Sequence, residues 1–455
     1  MFRTVGERAT VNSESRNHRK RAHGSTRSFS VLSVTDTVQR ILPREKPVSV
    51  RRLTHLKFDV LLVMAVITLI IFGLLMVYSA SYDYSWRWRG ISGLIFQRQL
   101  IWMVIGLVVA SVLSFLDYHF WRNLAVVAMM ITIIALIVVL IIGEKQNNAI
   151  RAIFGSSGQP SELAKLVTVV YLSVWLFAKK DQLSNISFGL LPLAMILGLV
   201  GGLIFLQPDL SAVITVLFLG GTMFFLAGGD MRQIGLLLVF AAFFGFIVVQ
   251  FSPTGSLRVH DYFLGLKDPS EGSYHVKRSF EAFLRGGWFG SGIGNAKTKL
   301  TGLPVPPTDS IFAVVGEETG VIGAISLVCV YVVFLWRGLV IAKRAPDEMG
   351  SLLAAGLTLW ITAEAFINMA VMVGLLPFAG NALPLISAGG SNLIVSLSAI
   401  GILLNISRLS EQRREKNGSS FNAVVDLRGR DRRRRVSSAR RPTSHGLRDS
   451  GQTRR

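Results

Sequence analysis

Ten stretches of this sequence approach the length of about 20 apolar residues that a helix needs to cross the hydrocarbon of a bilayer. They are residues 59–80, 100–116, 124–143, 163–178, 190–206, 210–227, 234–251, 312–336, 353–375 and 393–406. Backbone amides and carbonyls find no partner in lipid, so segments of this kind must satisfy them internally, as helices do. The expected fold is therefore an all-α polytopic membrane protein with ten transmembrane helices. Composition agrees, since 51% of the 455 residues are hydrophobic and only 16% are charged. An even number of crossings puts both termini on one side. Residues 1–57 carry 13 Lys and Arg against 4 Asp and Glu, residues 407–455 carry 15 against 5, and together they hold most of the net charge of +21. Basic flanks of a membrane body mark the cytoplasmic side and suit anionic headgroups, so no nucleic-acid partner is expected. The domains read as a basic disordered tail over 1–57, a membrane domain over 58–408 and a second such tail over 409–455. The single cysteine, Cys329, excludes a disulfide framework.

One connection stands out. Loop 252–311, between the seventh and eighth helices, has sixty residues where connections usually have about half a dozen, and it is expected on the extracytoplasmic side. Val276, Phe280, Phe283 and Leu284 recur at helical spacing within it, as in a short helix lying along the interface. Gly290, Gly292 and Gly294 follow and suggest a tight turn more than a phosphate cradle, because no strand precedes them.

Ionisable residues inside membrane segments are costly and normally face a bundle interior or a wet cavity. Glu162 and Lys165 fall at i and i+3 in "QPSELAKL", where an internal ion pair at a helix start explains them as well as a site does. Asp209 in "LQPDLSAV" suits a helix cap, and Arg151 in "NNAIRAIFG" lies in a preceding loop. The stretch "PPTDSIFAVVGEETGVIGA" carries Asp309, Glu317 and Glu318. As a helix entering from the long loop, with Thr308 as its cap, it sets Asp309 at the mouth and Glu317 eight residues deeper. Glu318 then points into a polar cavity or pairs with Lys165. Gly316, Gly320 and Gly323 form a stripe that lets another helix approach. Glu364 and Asn368 add a buried polar pair, and "LLPFAGNALPLISAGGSN" is too rich in Pro and Gly for a helix, as befits backbone lining a cavity. Arg and Lys around an outward-facing cavity suit a lipid-linked pyrophosphate, and a carboxylate at its mouth can take a proton from a hydroxyl.

The motifs "QPSELAK", "QPD", "SFEAFLRGGWFGSGIGN", "LPVPPTDSIFAVVGEETGVIG" and "INMAVMVGLLPFAGNALPLISAGGS" occur in an order that resembles the SEDS family (shape, elongation, division and sporulation), over about residues 58–408. Members of that family include the division protein FtsW and the rod-shape protein RodA. The resemblance implies ten membrane helices with cytoplasmic termini in the bacterial cytoplasmic membrane. It implies polymerisation of lipid II, the undecaprenyl-pyrophosphate-linked disaccharide peptide, and a class B penicillin-binding protein as partner in a division or elongation complex. Asp309 matches the family's essential Asp, Arg151 and Lys165 its basic cavity positions, and Glu318 the second Glu of its "GEE" segment. Ala152, Ser211, Ser310 and Ala388 depart from the family's usual Trp, Gly, Phe and Tyr.

The expected activity is thus an inverting peptidoglycan glycosyltransferase. Asp309 is the catalytic base, and Arg151, Lys165, Asp209, Lys299 and Glu318 are substrate-binding residues. No metal-ligating residue is assigned, although a divalent cation, Mg or Mn, is expected to assist the pyrophosphate. The rival readings are a lipid II flippase and a scaffold that only recruits a penicillin-binding protein.

Overall fold

In a computed structural model of the chain, residues 58–90, 93–142, 144–146, 149–152, 159–251, 253–268 and 271–437 are described, so the expected tail over 1–57 and the last residues, from 438, lie outside them. The described chain is almost entirely helical. The apolar stretches become α1 (Val60–Arg89), α2 (Leu94–Phe115), α3 (Phe120–Ile142), α4 (Pro160–Lys179), α5 (Leu190–Leu206), α6 (Leu210–Leu226) and α7 (Met231–Phe251), followed by α8 (Pro253–Lys267), α9 (Tyr274–Gly286) and α10 (Thr298–Thr301) in the long connection. The remaining helices are α11 (Ile311–Arg344), α12 (Glu348–Met372) and α13 (Gly390–Ser437). Among the described residues seven helices are long and apolar enough to cross a membrane, while α5, α6 and the first part of α7 are shorter apolar helices. This is a multi-pass membrane architecture.

Three expectations need correction. The fold is not purely α, because β1 (Glu144–Gln146) and β2 (Ala149–Ala152) pair antiparallel in a small hairpin just before α4. The segment 252–311 is not a loop with one short helix, since α8, α9 and α10 occupy much of it. The last helix does not stop near 408 but continues to Ser437, through a stretch of Glu, Lys and Arg that are good helix formers.

The helix ends follow local chemistry. Asp59 caps α1 by accepting from the Leu62 amide at 3.0 Å, and Asp347 caps α12 by accepting from Gly350 at 3.0 Å. Pro160 occupies the first turn of α4, where its missing N–H costs nothing. Burial then sorts the helices: α4, α12 and α13 have 67%, 72% and 78% of their apolar windows inside the protein, against 22% and 28% for α2 and α3. The first three form the core, and the others present apolar side chains outward as lipid-facing helices must.

The eighth apolar stretch is a broken helix. At Gly320 (φ 70°, ψ −172°) α11 leaves helical geometry, and the segment after α9 fills the gap. Ser291 and Gly292 amides donate to the carbonyls of Glu317 and Glu318 at 2.9 and 3.1 Å, while Val321 and Ile322 amides donate to Gly287 and Trp288 carbonyls at 2.9 and 3.3 Å. The backbone groups released by the break are thus re-satisfied by protein, the condition for irregular backbone at membrane depth. Two of the expected stripe glycines make room for this: a Cβ on Gly316 would lie 2.2 Å from the Phe283 ring, and one on Gly320 would lie 2.5 Å from Gly290 N and Trp288 O.

Gly320 occupies a region of backbone space open essentially to glycine, with a strain of about 1–3 kcal/mol for other residues, and its missing side chain is where neighbouring backbone sits. Gly320→Ala should lower the thermal midpoint in detergent markedly. Gly198→Ala, whose new methyl meets nothing within 4 Å, should leave it unchanged. Equal melts for the two variants would contradict this account of the break.

Candidate functional site

The starts of α4, α6 and α13 converge with the turn before α11, the middle of α12 and the segment joining α12 to α13, and they enclose a polar cavity of about 210 Å³. Lys165, Asp209 and Asp309 all line it, so three expected site residues meet although they are far apart in sequence. Ser211 and Ala388, two of the positions that depart from the resembled pattern, line it as well.

Lys165 is buried between two carboxylates. Its Nζ lies 2.9 Å from Glu162 Oε2 and bonds Glu364 Oε1 on α12. Glu318 is not its partner, as one reading of the sequence had it. Asn392 at the start of α13 donates to Glu162 at 3.0 Å and closes this side. Taking an ammonium out of water is expensive unless it is paired and hydrogen-bonded. The network therefore explains both why a lysine sits at this depth and why α4 and α12 share their register.

Asp209 caps α6, with the Ala212 amide donating at 3.4 Å, and it also accepts from Ser211 Oγ at 2.9 Å, Gln159 Nε2 at 3.0 Å and Ser161 Oγ at 3.1 Å. The cap and the cavity wall are the same residue. Ser211, where glycine is usual in the resembled pattern, supplies one of these bonds.

Asp309 lies before the helix and not in its first turn: α11 starts at Ile311, its N-cap position is Ser310, and Thr308 donates back to Val305 O at 3.4 Å instead of capping. The turn is strapped through its carbonyls. Pro307 O accepts from the Ala388 amide at 2.8 Å, Thr308 O from Ser387 Oγ at 2.7 Å and Asp309 O from Asn368 Nδ2 at 3.0 Å. Asn381 donates to Glu364 O at 3.0 Å and so joins the same segment to α12. Gly380 lies beside the carboxylate, where a Cβ would be at the ordinary contact distance of 3.5 Å from Asp309 Oδ2.

The other expected residues fall elsewhere. Lys299 Nζ bonds Glu318 Oε1 at 2.9 Å, Ser79 Oγ at 2.9 Å and Gly294 O at 2.9 Å, and Ser79 Oγ donates to Glu318 at 2.5 Å, so this pair ties α1 and the long connection to α11 outside the cavity. Glu317 accepts from the amides of Lys297 and Thr298 at 2.8 and 3.2 Å at the start of α10 and does not share the face of Asp309. Arg151 lies on β2, and its side chain is outside the described residues. Among the described residues Lys165 is the one cation lining the cavity, against Glu162, Asp209, Asp309 and Glu364. The sequence suggested a lining of Arg and Lys together with lone carboxylates, and the described part of that lining is richer in carboxylates. Gln159, Asn381 and Asn392 were not singled out from the sequence; the only hint was polarity next to "QPSE" and within the Pro- and Gly-rich segment.

His275 on α9 stacks on Phe378 with ring centroids 3.9 Å apart and comes within 3.5 Å of Ser310 Oγ, beside Asp309. Burial in this stack, and then the positive charge of Arg258, push the imidazole down to about 4. The unfolded chain therefore binds the proton more readily than the folded one between about 4 and the ordinary 6.5. The stability contributed by neutral His275 is fully present above 6.5 and is lost as pH falls toward 4. The melting temperature should drop over that window, and His275→Phe, which keeps an aromatic stack, should drop less. A wild-type melt flat from pH 7 to pH 4.5 would refute this.

Lys165→Met keeps the length but leaves Glu162 and Glu364 without their cation, and breaking a buried pair in this way costs about 3–5 kcal/mol. The melt should fall strongly, and adding Glu364→Gln should recover part of the loss. A stable single variant would mean that the carboxylates do not depend on Lys165.

The chain as a whole is similar to known proteins. A curated "Probable peptidoglycan glycosyltransferase FtsW" from Trichlorobacter lovleyi is 38% identical over 356 residues, which cover 77% of this chain and 93% of that protein. The "Stage V sporulation protein E" of Bacillus subtilis is 34% identical over 357 residues, 77% of this chain and 97% of its own length. Among solved structures, a chain from a peptidoglycan synthase complex that coordinates polymerization and crosslinking superposes with a TM-score of 0.65 at 27% identity, covering 78% of this chain and 99% of that one. The rod shape determining protein RodA of Thermus thermophilus superposes with a TM-score of 0.57 at 25% identity, covering 78% and 98%. The profile of the cell cycle protein family FtsW/RodA/SpoVE matches residues 59–412, and the chain belongs to that family.

Proposed function

We propose that this protein is a peptidoglycan glycosyltransferase that joins the disaccharide units of lipid II into glycan strands, with Asp309 as general base. The observation that carries the reading is the placement of a carboxylate on a turn held by three backbone hydrogen bonds at the wall of a polar cavity. A base must reach its proton at hydrogen-bond distance, and rigid support of this kind keeps it there. Asp309 takes the proton of the acceptor hydroxyl as that oxygen attacks the donor's anomeric carbon, with inversion, and the bond to the pyrophosphate breaks. The pyrophosphate carries the developing charge. Lys165 supplies an ammonium at the cavity, and Arg151, on the hairpin that precedes α4, is the second cation in this proposal. A divalent cation is not given a step. The described residues gather no set of three Asp, Glu, His or Cys able to hold one, and the bonds accepted by Asp209 and Glu162 already engage their carboxylates.

In the membrane arrangement that follows, α1 to α7 and α11 to α13 cross the bilayer. A 17-residue helix such as α5 is about 26 Å long, close to the hydrocarbon thickness of about 30 Å. Both basic ends lie in the cytoplasm, and α8 to α10 lie outside the bacterial cytoplasmic membrane. A class B penicillin-binding protein is the proposed partner, supported by the likeness to a chain of a synthase complex. A flippase reading is weaker, because below Lys165 the buried residues of α4 are mostly apolar, Leu166, Val167, Val169, Val170, Leu172 and Leu176, interrupted by Thr168 and Ser173 and by no charge. A scaffold reading accounts for the buried charges as packing but leaves the polar cavity and the strapped turn of Asp309 at its wall without a use.

Asp309→Asn keeps shape and hydrogen-bonding reach but accepts no proton at neutral pH, so strand synthesis from lipid II should fall by about 10²–10⁴. The melt should hardly move, because the strapping bonds use the backbone carbonyl and not the carboxylate. Near-normal synthesis by the well-folded variant would remove Asp309 from the chemistry.

A further inference from the structure

A second cavity, of about 170 Å³, lies between α8, α9 and the segment after α12. Its lining combines Arg258, Asp261 and Tyr262 of α8 with Phe280 of α9 and Phe378. Nothing in the reaction as described above uses it. Its position is what gives it meaning. Phe378 is two residues from Gly380, whose Cα region abuts the Asp309 carboxylate in the first cavity, and the other contact of Phe378, His275, reaches Ser310 next to Asp309. The two cavities are therefore separated by one short wall, and the proposed base sits at that wall.

A glycosyltransferase joins two sugars, and its base must lie between the one that attacks and the one that is attacked. The first cavity, at about 210 Å³, is comparable in size with the second, so neither by itself has room to spare for both. The lining of the second also fits a sugar. Aromatic rings of Phe280 and Tyr262 can cover the C–H faces of a pyranose, while a guanidinium and a carboxylate offer donors and acceptors to its hydroxyl and amide groups. Arg258 is already held over Phe378, with its Cζ 5.4 Å from the ring centroid, and Tyr262 is pinned by donating to Leu375 O at 3.0 Å. The recognising groups are thus oriented without a ligand.

We infer that this second cavity binds the sugar of one of the two lipid-linked substrates, so that Asp309 stands between a donor site and an acceptor site. The inference rests on the transferase reading, and its test separates the two. Initial rates of strand synthesis are measured against lipid II concentration for the full-length protein, Arg258→Gln and Asp261→Asn. Losing a hydrogen bond to a sugar is worth about 0.5–1.5 kcal/mol, so KM should rise about 2- to 13-fold in each variant. The shape of the pH profile should stay that of wild type because Asp309 is intact. In parallel, saturation-transfer NMR with the soluble disaccharide of N-acetylglucosamine and N-acetylmuramic acid reads binding without turnover. Signal transfer to wild type that weakens in both variants supports the sugar site even if no strands form, in which case only the transferase reading fails. Unchanged KM together with unchanged disaccharide binding in both variants overturns the inference and leaves the transferase reading intact. So does variant-sensitive binding of undecaprenyl phosphate with none of the disaccharide, which would make the cavity a seat for the lipid.

Discussion

The interaction on which the rest depends is an ammonium group held between two carboxylates at the interior junction of α4 and α12. Lys165 cannot be left alone in an apolar bundle, and neither can Glu162 or Glu364. Together they form a set that is satisfied only when α4 and α12 are in one register, with Asn392 drawing in the start of α13. These are the same three helices that are most buried. The apolar surfaces of the bundle are permissive, since helices in lipid gain little from hiding leucine from leucine. Polar pairing is what makes one packing preferable to its neighbours.

That fixed junction carries the less regular parts of the site. The segment joining α12 to α13 has no helical ladder, so its polar groups must bond elsewhere. It directs them at the turn before α11: Ala388 N and Ser387 Oγ reach the Pro307 and Thr308 carbonyls, and Asn368 spans the Asp309 and Asn381 carbonyls at 3.0 and 2.6 Å. Gln99 of α2 joins from the other side, donating to Ser387 O at 3.2 Å and accepting from Gly389 N at 3.1 Å. Two irregular segments thereby satisfy each other. The turn that carries Asp309 is thereby fixed through its own backbone carbonyls.

How much of this was legible in the sequence depended on range. Runs of apolar residues are local, and every one of the ten stretches contains a helix. The spacing of Glu162 and Lys165 is local too, and the pair exists. The partners that decide the site are not: Glu364 lies 199 positions from Lys165, and no periodicity relates them. Glu318 was misplaced for the same reason: the sequence offered it a polar cavity or Lys165, whereas it pairs with Lys299 of the long connection, which lies alongside the break at Gly320. The glycines at 290 and 292 read as a turn, which they are, but their purpose is to let the backbone lie inside a broken helix. The β-hairpin gave no signal, being seven residues of mixed polarity flanked by longer apolar runs.

The excess of carboxylates in the polar cavity bears on how a substrate with two phosphates can use it. Among the described residues the lining holds four carboxylates and one lysine, which repel an anion placed among them, so in the proposed reaction the pyrophosphate belongs at the rim and the sugar, with its neutral donors, inside. This ordering also suits the chemistry. A general base must stand within hydrogen-bond reach of the acceptor hydroxyl, and a lining that keeps the pyrophosphate away from Asp309 leaves that place to the hydroxyl. The sequence suggested Arg and Lys together with lone carboxylates, and the described lining holds Lys165 among four carboxylates. Under the proposed function these divide the work: Lys165, with Arg151 of β2 as the second cation, answers the charge of the leaving group, and Asp309 the hydroxyl that attacks.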